Sequence, residues 1–75
     1  MTKEEQMYIS AVRYALGRMS YIVGDTVSFM KSKELSKQCK ELMIRDIDEA
    51  INAGAYGMGM DLQEWVSLKE HLTTN

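Results

Sequence analysis

The residues whose types and spacing suit chemistry lie around one stretch, Tyr14-Ala-Leu-Gly-Arg-Met-Ser-Tyr-Ile-Val23. Together with the preceding Arg13, this stretch gathers Arg13, Tyr14, Arg18, Ser20 and Tyr21. Arginine offers forked, charge-assisted hydrogen bonds to phosphate oxygens. Ser20, if it opens a helix, sets a hydroxyl beside free backbone amides at the positive end of a helix dipole. Tyrosine rings stack on bases, at about 1–3 kcal/mol per base in nucleic-acid systems. Gly17 lets a ligand or a second backbone approach closely. These five side chains form the candidate ligand-binding site, and they suit an anionic nucleotide. The plainer alternative has Arg18 paired with a surface carboxylate, Tyr21 in the core and Gly17 merely turning the chain.

Other chemistry has weaker footing. Asp46 and Glu49 share a helical face and could flank a cation, but Asp46, Asp48 and Glu49 read more simply as a solvated face. General acid–base work needs such groups in a pocket with shifted pKa values. Cys39 falls in an apolar row and reads as a buried thiol. It is the only cysteine and His71 the only histidine, which leaves no internal disulfide and no cysteine-rich zinc site. Nothing in the sequence brings Cys39 and His71 together. The connector Gly54-Ala-Tyr-Gly-Met-Gly-Met60 could cradle a phosphate ahead of a helix, but it matches no Walker or dinucleotide pattern. It reads as a linker whose Tyr56, Met58 and Met60 could pack on a neighbouring subunit. No catalytic residue, metal ligand or cofactor is assigned, and an enzyme is not expected.

The elements that must position these residues belong to a small domain. The chain has 75 residues, 45% hydrophobic and 27% charged, with a formal net charge of -2. That composition is globular rather than disordered. One domain over residues 1–75 is expected, and its stability should be marginal at this size. With disulfides and zinc set aside, association with further copies is the remaining way to enlarge the core, so a homo-oligomer is expected. The mild acidity speaks against a protein that coats DNA or RNA, although a local cationic pocket is allowed. No apolar run approaches the ~20 residues of a membrane span, and no signal-like apolar segment opens the chain. A cytoplasmic protein is expected.

An all-α fold follows from the apolar spacing. Thr2-Lys-Glu-Glu5 is a capping box, and Tyr8, Val12, Ala15 and Met19, flanked by Ile9 and Leu16, extend a helix to about Leu16. Gly17 suits a left-handed stop, although a helix running through it to about Gly24 is the alternative. Ser20 caps a second helix to about Lys31, with Val23, Val27 and Met30 in one row and Ile22, Thr26 and Phe29 in the next. A third helix is expected from about Glu34 to Ala53, stopped by Gly54. A last helix is expected after the box Asp61-Leu-Gln-Glu64, carrying Leu62, Trp65, Val66, Leu68 and Leu72. The architecture is a bundle of three or four helices.

The run Ala15-Leu-Gly-Arg-Met-Ser-Tyr-Ile-Val23 resembles a segment of small proteins encoded by phages and prophages of Gram-positive bacteria. Asp61-Leu-Gln-Glu-Trp65 resembles them more loosely, and the two segments cover less than half the chain. In size, helicity and lack of catalytic groups the chain is similar to helical sponge proteins, which form oligomers and sequester cyclic-nucleotide immune signals. The resemblance implies an anti-defence protein in the cytoplasm of an infected bacterial host. It would place phosphate on Arg18 and Ser20 and a base on Tyr21 or Tyr14. The competing expectation is an inhibitor of a host enzyme or defence protein, suggested by the net negative charge, seven methionines and the chance that Trp65 and Tyr56 are exposed. A helix-turn-helix regulator ranks below both, because Tyr21 to Met30 carries no arginine or lysine.

Overall fold

Four helices follow one another: α1 Lys3–Ala15, α2 Ser20–Lys31, α3 Lys37–Ala53 and α4 Gly59–Thr74. The structure, a computed structural model, describes residues 1–17, 20–54 and 59–74, and only the backbone at residues 20, 21 and 59–61. Among the described residues there is no strand. Local chemistry explains most of the boundaries. Thr2 Oγ1 accepts from the Glu5 amide at 3.1 Å, and Glu5 Oε1 accepts from the Thr2 amide at 3.3 Å, so the first capping box forms as read. Gly54 ends α3 with φ 64°, the one left-handed residue among those described.

Three expectations on boundaries are corrected. Helix α3 begins at Lys37, not Glu34, because Ser36 is extended and its hydroxyl accepts from the Cys39 amide at 3.2 Å. Leu35 is buried as an anchor within the connection, so its apolar register was no sign of helix. Helix α4 begins at Gly59, which places Asp61 inside the first turn rather than at the cap. Acids are favoured throughout a first turn, so an Asp-x-x-Glu spacing does not fix which position caps. Helix α1 does stop before Gly17, but not through left-handed glycine. Leu16 stays right-handed at φ -59°, and the Gly17 amide donates to the Tyr14 carbonyl at 3.2 Å, a tightened last turn.

The helices close into a ring. α1 packs on α2 and α3, and α4 packs on the same two. Each sends one apolar row inward: Ile9, Val12 and Ala15 from α1, Val23, Val27 and Met30 from α2, Cys39, Met43 and Ile47 from α3, Trp65, Leu68 and Leu72 from α4. Burying each large apolar side chain contributes about 1.5–3 kcal/mol. The second row of α2 is not core. Ile22 and Thr26 are half-buried and Phe29 is 44% exposed, because α4 covers only the Val23 side of the helix. Trp65 runs the other way, fully buried rather than available at the surface. Its indole Nε1 has no hydrogen-bond partner among the described residues.

Two polar pins fix α1 against α3. At one end the buried Glu5 carboxylate accepts from the Ser36 amide at 2.7 Å and from the Ser36 hydroxyl at 3.1 Å, while still closing the α1 capping box. One carboxylate thus serves the starts of two helices. The Ser36 amide is the main reason its pKa is held below the usual glutamate value; burial opposes the effect. At the other end Arg13 Nε donates to Asp46 Oδ2 at 2.8 Å. The plain expectation for Asp46 was a solvated face, and that is corrected: α1 covers this face, leaving Asp46 9% exposed, and Arg13 supplies the counter-charge.

Candidate functional site

Helix α1 turns different residues toward its two neighbours. Met7, Ala11 and Tyr14 recur at spacings of four and three, so they share one stripe. That stripe meets Ile22, Thr26 and Phe29, the outward row of α2. Between the two rows runs a groove. Its wider part is a cavity of about 1040 Å3 reaching from Lys3 to Tyr14 and Ile22. A second part, about 460 Å3, continues past Tyr8 and Asp25 to Phe29 and Met30. The two share Met7, Ala11 and Thr26. The Tyr14 and Phe29 ends show that α1 and α2 run antiparallel, since Tyr14 faces Ile22 while Tyr8 faces Phe29.

The groove is apolar in its middle and organised at one end. Thr26 Oγ1 donates back to the Ile22 carbonyl at 2.8 Å, which satisfies the hydroxyl within its own helix. The Tyr8 and Phe29 rings meet edge to face, centroids 5.6 Å apart and 72° between planes. The Lys33 ammonium stands 4.7 Å above the Phe29 ring. Tyr8 donates its hydroxyl to Glu4 Oε2 at 3.3 Å. Burial, and then the Glu4 charge, push the Tyr8 phenol pKa up, so it acts as a neutral donor. Met7 is 69% exposed, Tyr14 56% and Phe29 44%. A surface with three large apolar side chains so exposed on one groove calls for an occupant.

The residues proposed from the sequence do not all gather here. Tyr14 lines the groove, but Arg13 does not. Arg13 opens on the opposite side of α1, in a shallower cavity of about 360 Å3 with Leu16, Asp46 and Glu49. Neighbours in a helical sequence lie about 100° apart, which is why adjacency along the chain did not become adjacency in space. Arg18 lies outside the described residues, and so do the side chains of Ser20 and Tyr21. The residues the sequence reading missed are Met7 and Phe29 as surface. The signal was present: Met7, Ala11 and Tyr14 widen the apolar stripe of α1 beyond what one buried face requires.

Cys39 is fully buried, and burial, reinforced by the Glu5 charge, pushes its thiol pKa up, the opposite of an activated nucleophile. Among the described residues no three His, Cys, Asp or Glu side chains are grouped to hold a metal ion. Nor is any helix among them long and apolar enough to cross a membrane. Compared with protein-family models, with characterised proteins and with solved structures, the chain matches none. The resemblance to phage-encoded helical proteins therefore rests on its two segments alone.

Proposed function

We propose that this chain is a non-catalytic binding protein that captures a helical segment of a partner protein in the α1–α2 groove. The observation that carries this reading is the convergence of Met7, Tyr14 and Phe29, all exposed, on one apolar groove. A trough between two antiparallel helices is the shape that a third helix fills with an apolar stripe. Methionine adapts to such a surface, and aromatic rings anchor it. Lys3 and Asp25 on the rim offer both signs of charge for orienting the occupant. Taken with the phage resemblance, the partner is a host enzyme or defence protein, and binding blocks it.

The test uses a displayed library of amphipathic helical peptides. Selected peptides should shift the amide resonances of residues 7–14 and 22–29 and should lose binding to Met7→Glu. Peptides that bind elsewhere, or a library that yields none, would overturn the reading. Sedimentation of the chain alone tests the other occupant. A dimer dissolved by Met7→Glu would mean that a second copy fills the groove, and the partner reading would fall.

A second reading keeps the nucleotide: a homo-oligomer that sequesters an anionic cyclic-nucleotide signal at Tyr14, Arg18, Ser20 and Tyr21, with Arg13 set aside because it pairs with Asp46 on another side of α1. Its support is the Tyr14 ring, 56% exposed at the end of α1 where the chain enters the Arg18 to Tyr21 stretch. A ligand at a hundredfold excess over its Kd raises apparent stability by about 2.7 kcal/mol. A melting-temperature rise with one member of a cyclic di- and trinucleotide panel, lost in Arg18→Ala, is the expected result. A flat panel rejects it.

A further inference from the structure

We infer that the end of the bundle where α2 stops and α3 starts is an anion site, built to take a phosphate group. The cavity there is about 500 Å3 and is bordered by Lys31, Lys33, Lys40, His71 and a single acid, Glu34. Three of the nine lysines and arginines and the only histidine thus border one cavity in a chain of net charge -2. This site is separate from the α1–α2 groove and does not depend on its occupant.

The partners of the two lysines on the turn make the case. Three other cations meet carboxylates: Arg13 meets Asp46, Lys69 meets Asp48 at 2.6 Å and Arg45 meets Glu49 at 4.0 Å. Lys31 instead donates to the Ser67 hydroxyl, and Lys33 stands over the Phe29 ring. Both are positioned by neutral groups, so their charge is held in place without being neutralised. Lys31 also lies in the last turn of α2, where a cation complements the helix dipole, so its position is stable without a ligand. The backbone of the turn is closed on itself. Ser32 donates its amide to the Ser28 and Phe29 carbonyls and its hydroxyl to the Phe29 carbonyl, which occupies two acceptors of the last turn of α2; the negative end of the helix dipole still opposes an anion, so the lysines must outweigh it. A tetrahedral dianion suits this rim, because ammonium groups approach phosphate oxygens as point charges from several directions. Glu34 is the one acid among the described residues that border the cavity, and it limits affinity.

Titration of 15N-labelled protein with pyrophosphate, at ionic strength held constant with chloride, tests the site. Saturable shifts confined to residues 31–35, 40 and 71–72 are expected, with affinity falling about a hundredfold in the Lys31→Gln, Lys33→Gln double variant, one factor of ten per lost charge-assisted contact. Glu34→Gln should tighten binding severalfold. Arg45→Gln, away from the cavity, should leave it unchanged and shows that net charge alone is not the cause. Adenosine diphosphate and inorganic phosphate form two further arms. Equal binding of both marks a site for the phosphate alone, and tighter binding of the nucleotide marks a phosphate site on a larger ligand. Shifts that chloride reproduces, that do not saturate, or that survive in the folded double variant would overturn the proposal.

Discussion

Helix α1 meets its two neighbours in opposite ways. Against α3 it is pinned at both ends by buried or nearly buried carboxylates, Glu5 on Ser36 and Asp46 on Arg13. Against α2 it offers Met7, Ala11 and Tyr14 to an apolar groove with Met7, Tyr14 and Phe29 exposed. One seam is directional and closed, the other non-directional and open. The contrast shows how a chain of 75 residues holds an incompletely covered surface. Hydrogen bonds and an ion pair fix where α1 sits, so apolar side chains on its other edge need not be used to fix it.

The largest effect separates the core from both seams. Met43 of α3 is fully buried in the common core, and Met43→Ala should cost about 2–5 kcal/mol. In a domain this small that lowers the melting temperature by at least about 8 °C. A loss below about 1 kcal/mol would mean that the described core is not the cooperative one.

Next comes the asymmetry of the Arg13–Asp46 pin. The Arg13 side chain is 55% exposed and that of Asp46 10%. The pair itself is screened on the arginine side and contributes little. Arg13→Ala, however, strands a nearly buried carboxylate and should cost about 1–2 kcal/mol in urea unfolding. Asp46→Ala leaves Arg13 free to reach water and should cost less than half of that. Equal losses would mean that Asp46 is better solvated than the closed seam requires.

At the other end of that seam the effect depends on pH. The Glu5 pKa is lower in the folded chain than in the unfolded one. Its contribution is therefore present in full above the unfolded value of about 4.3 and disappears as pH falls through the folded value. Stability should be flat from pH 7 to about pH 5 in this respect and should fall below that. Glu5→Gln should weaken the protein at neutral pH and flatten the acid limb of its profile. An unchanged acid limb would assign that limb to other carboxylates.

Much of this fold was legible because its signals are local. The Thr2 and Glu5 box and the Gly54 stop each depend on residues within a turn of one another; Ser20, expected as the cap of α2, is instead its first helical residue. The closed seam was not legible, because its partners are far apart in sequence: Arg13 and Asp46 are separated by 33 positions, and Glu5 and Ser36 by 31. A carboxylate between charged neighbours on α3 reads as solvated until α1 is known to cover it. The open seam was half legible. The rows Val23-Val27-Met30 and Ile22-Thr26-Phe29 are similarly apolar, and only the placement of α4 decides which one is buried. In the candidate site, Arg13 and Tyr14 looked like one cluster because they adjoin, whereas helical geometry sends them to different grooves.

The smallest effect on stability bears most directly on function. Met7 is 69% exposed, so Met7→Glu removes little burial from the isolated chain and should change unfolding by no more than about 0.5 kcal/mol. The same change sets a charge in the part shared by both halves of the groove, beside Ala11 and Thr26. An occupant would have to desolvate that carboxylate without a partner, so binding should weaken by at least about tenfold. The two readouts must separate for the contrast between the seams to hold. If Met7→Glu destabilised the isolated chain by several kcal/mol, the side chain would be buried in solution, and the open seam would already be closed by another copy. If it altered neither stability nor the binding of any selected helix, the groove would be an exposed apolar surface without an occupant, and the function would have to be sought at the lysine-bordered end of the bundle.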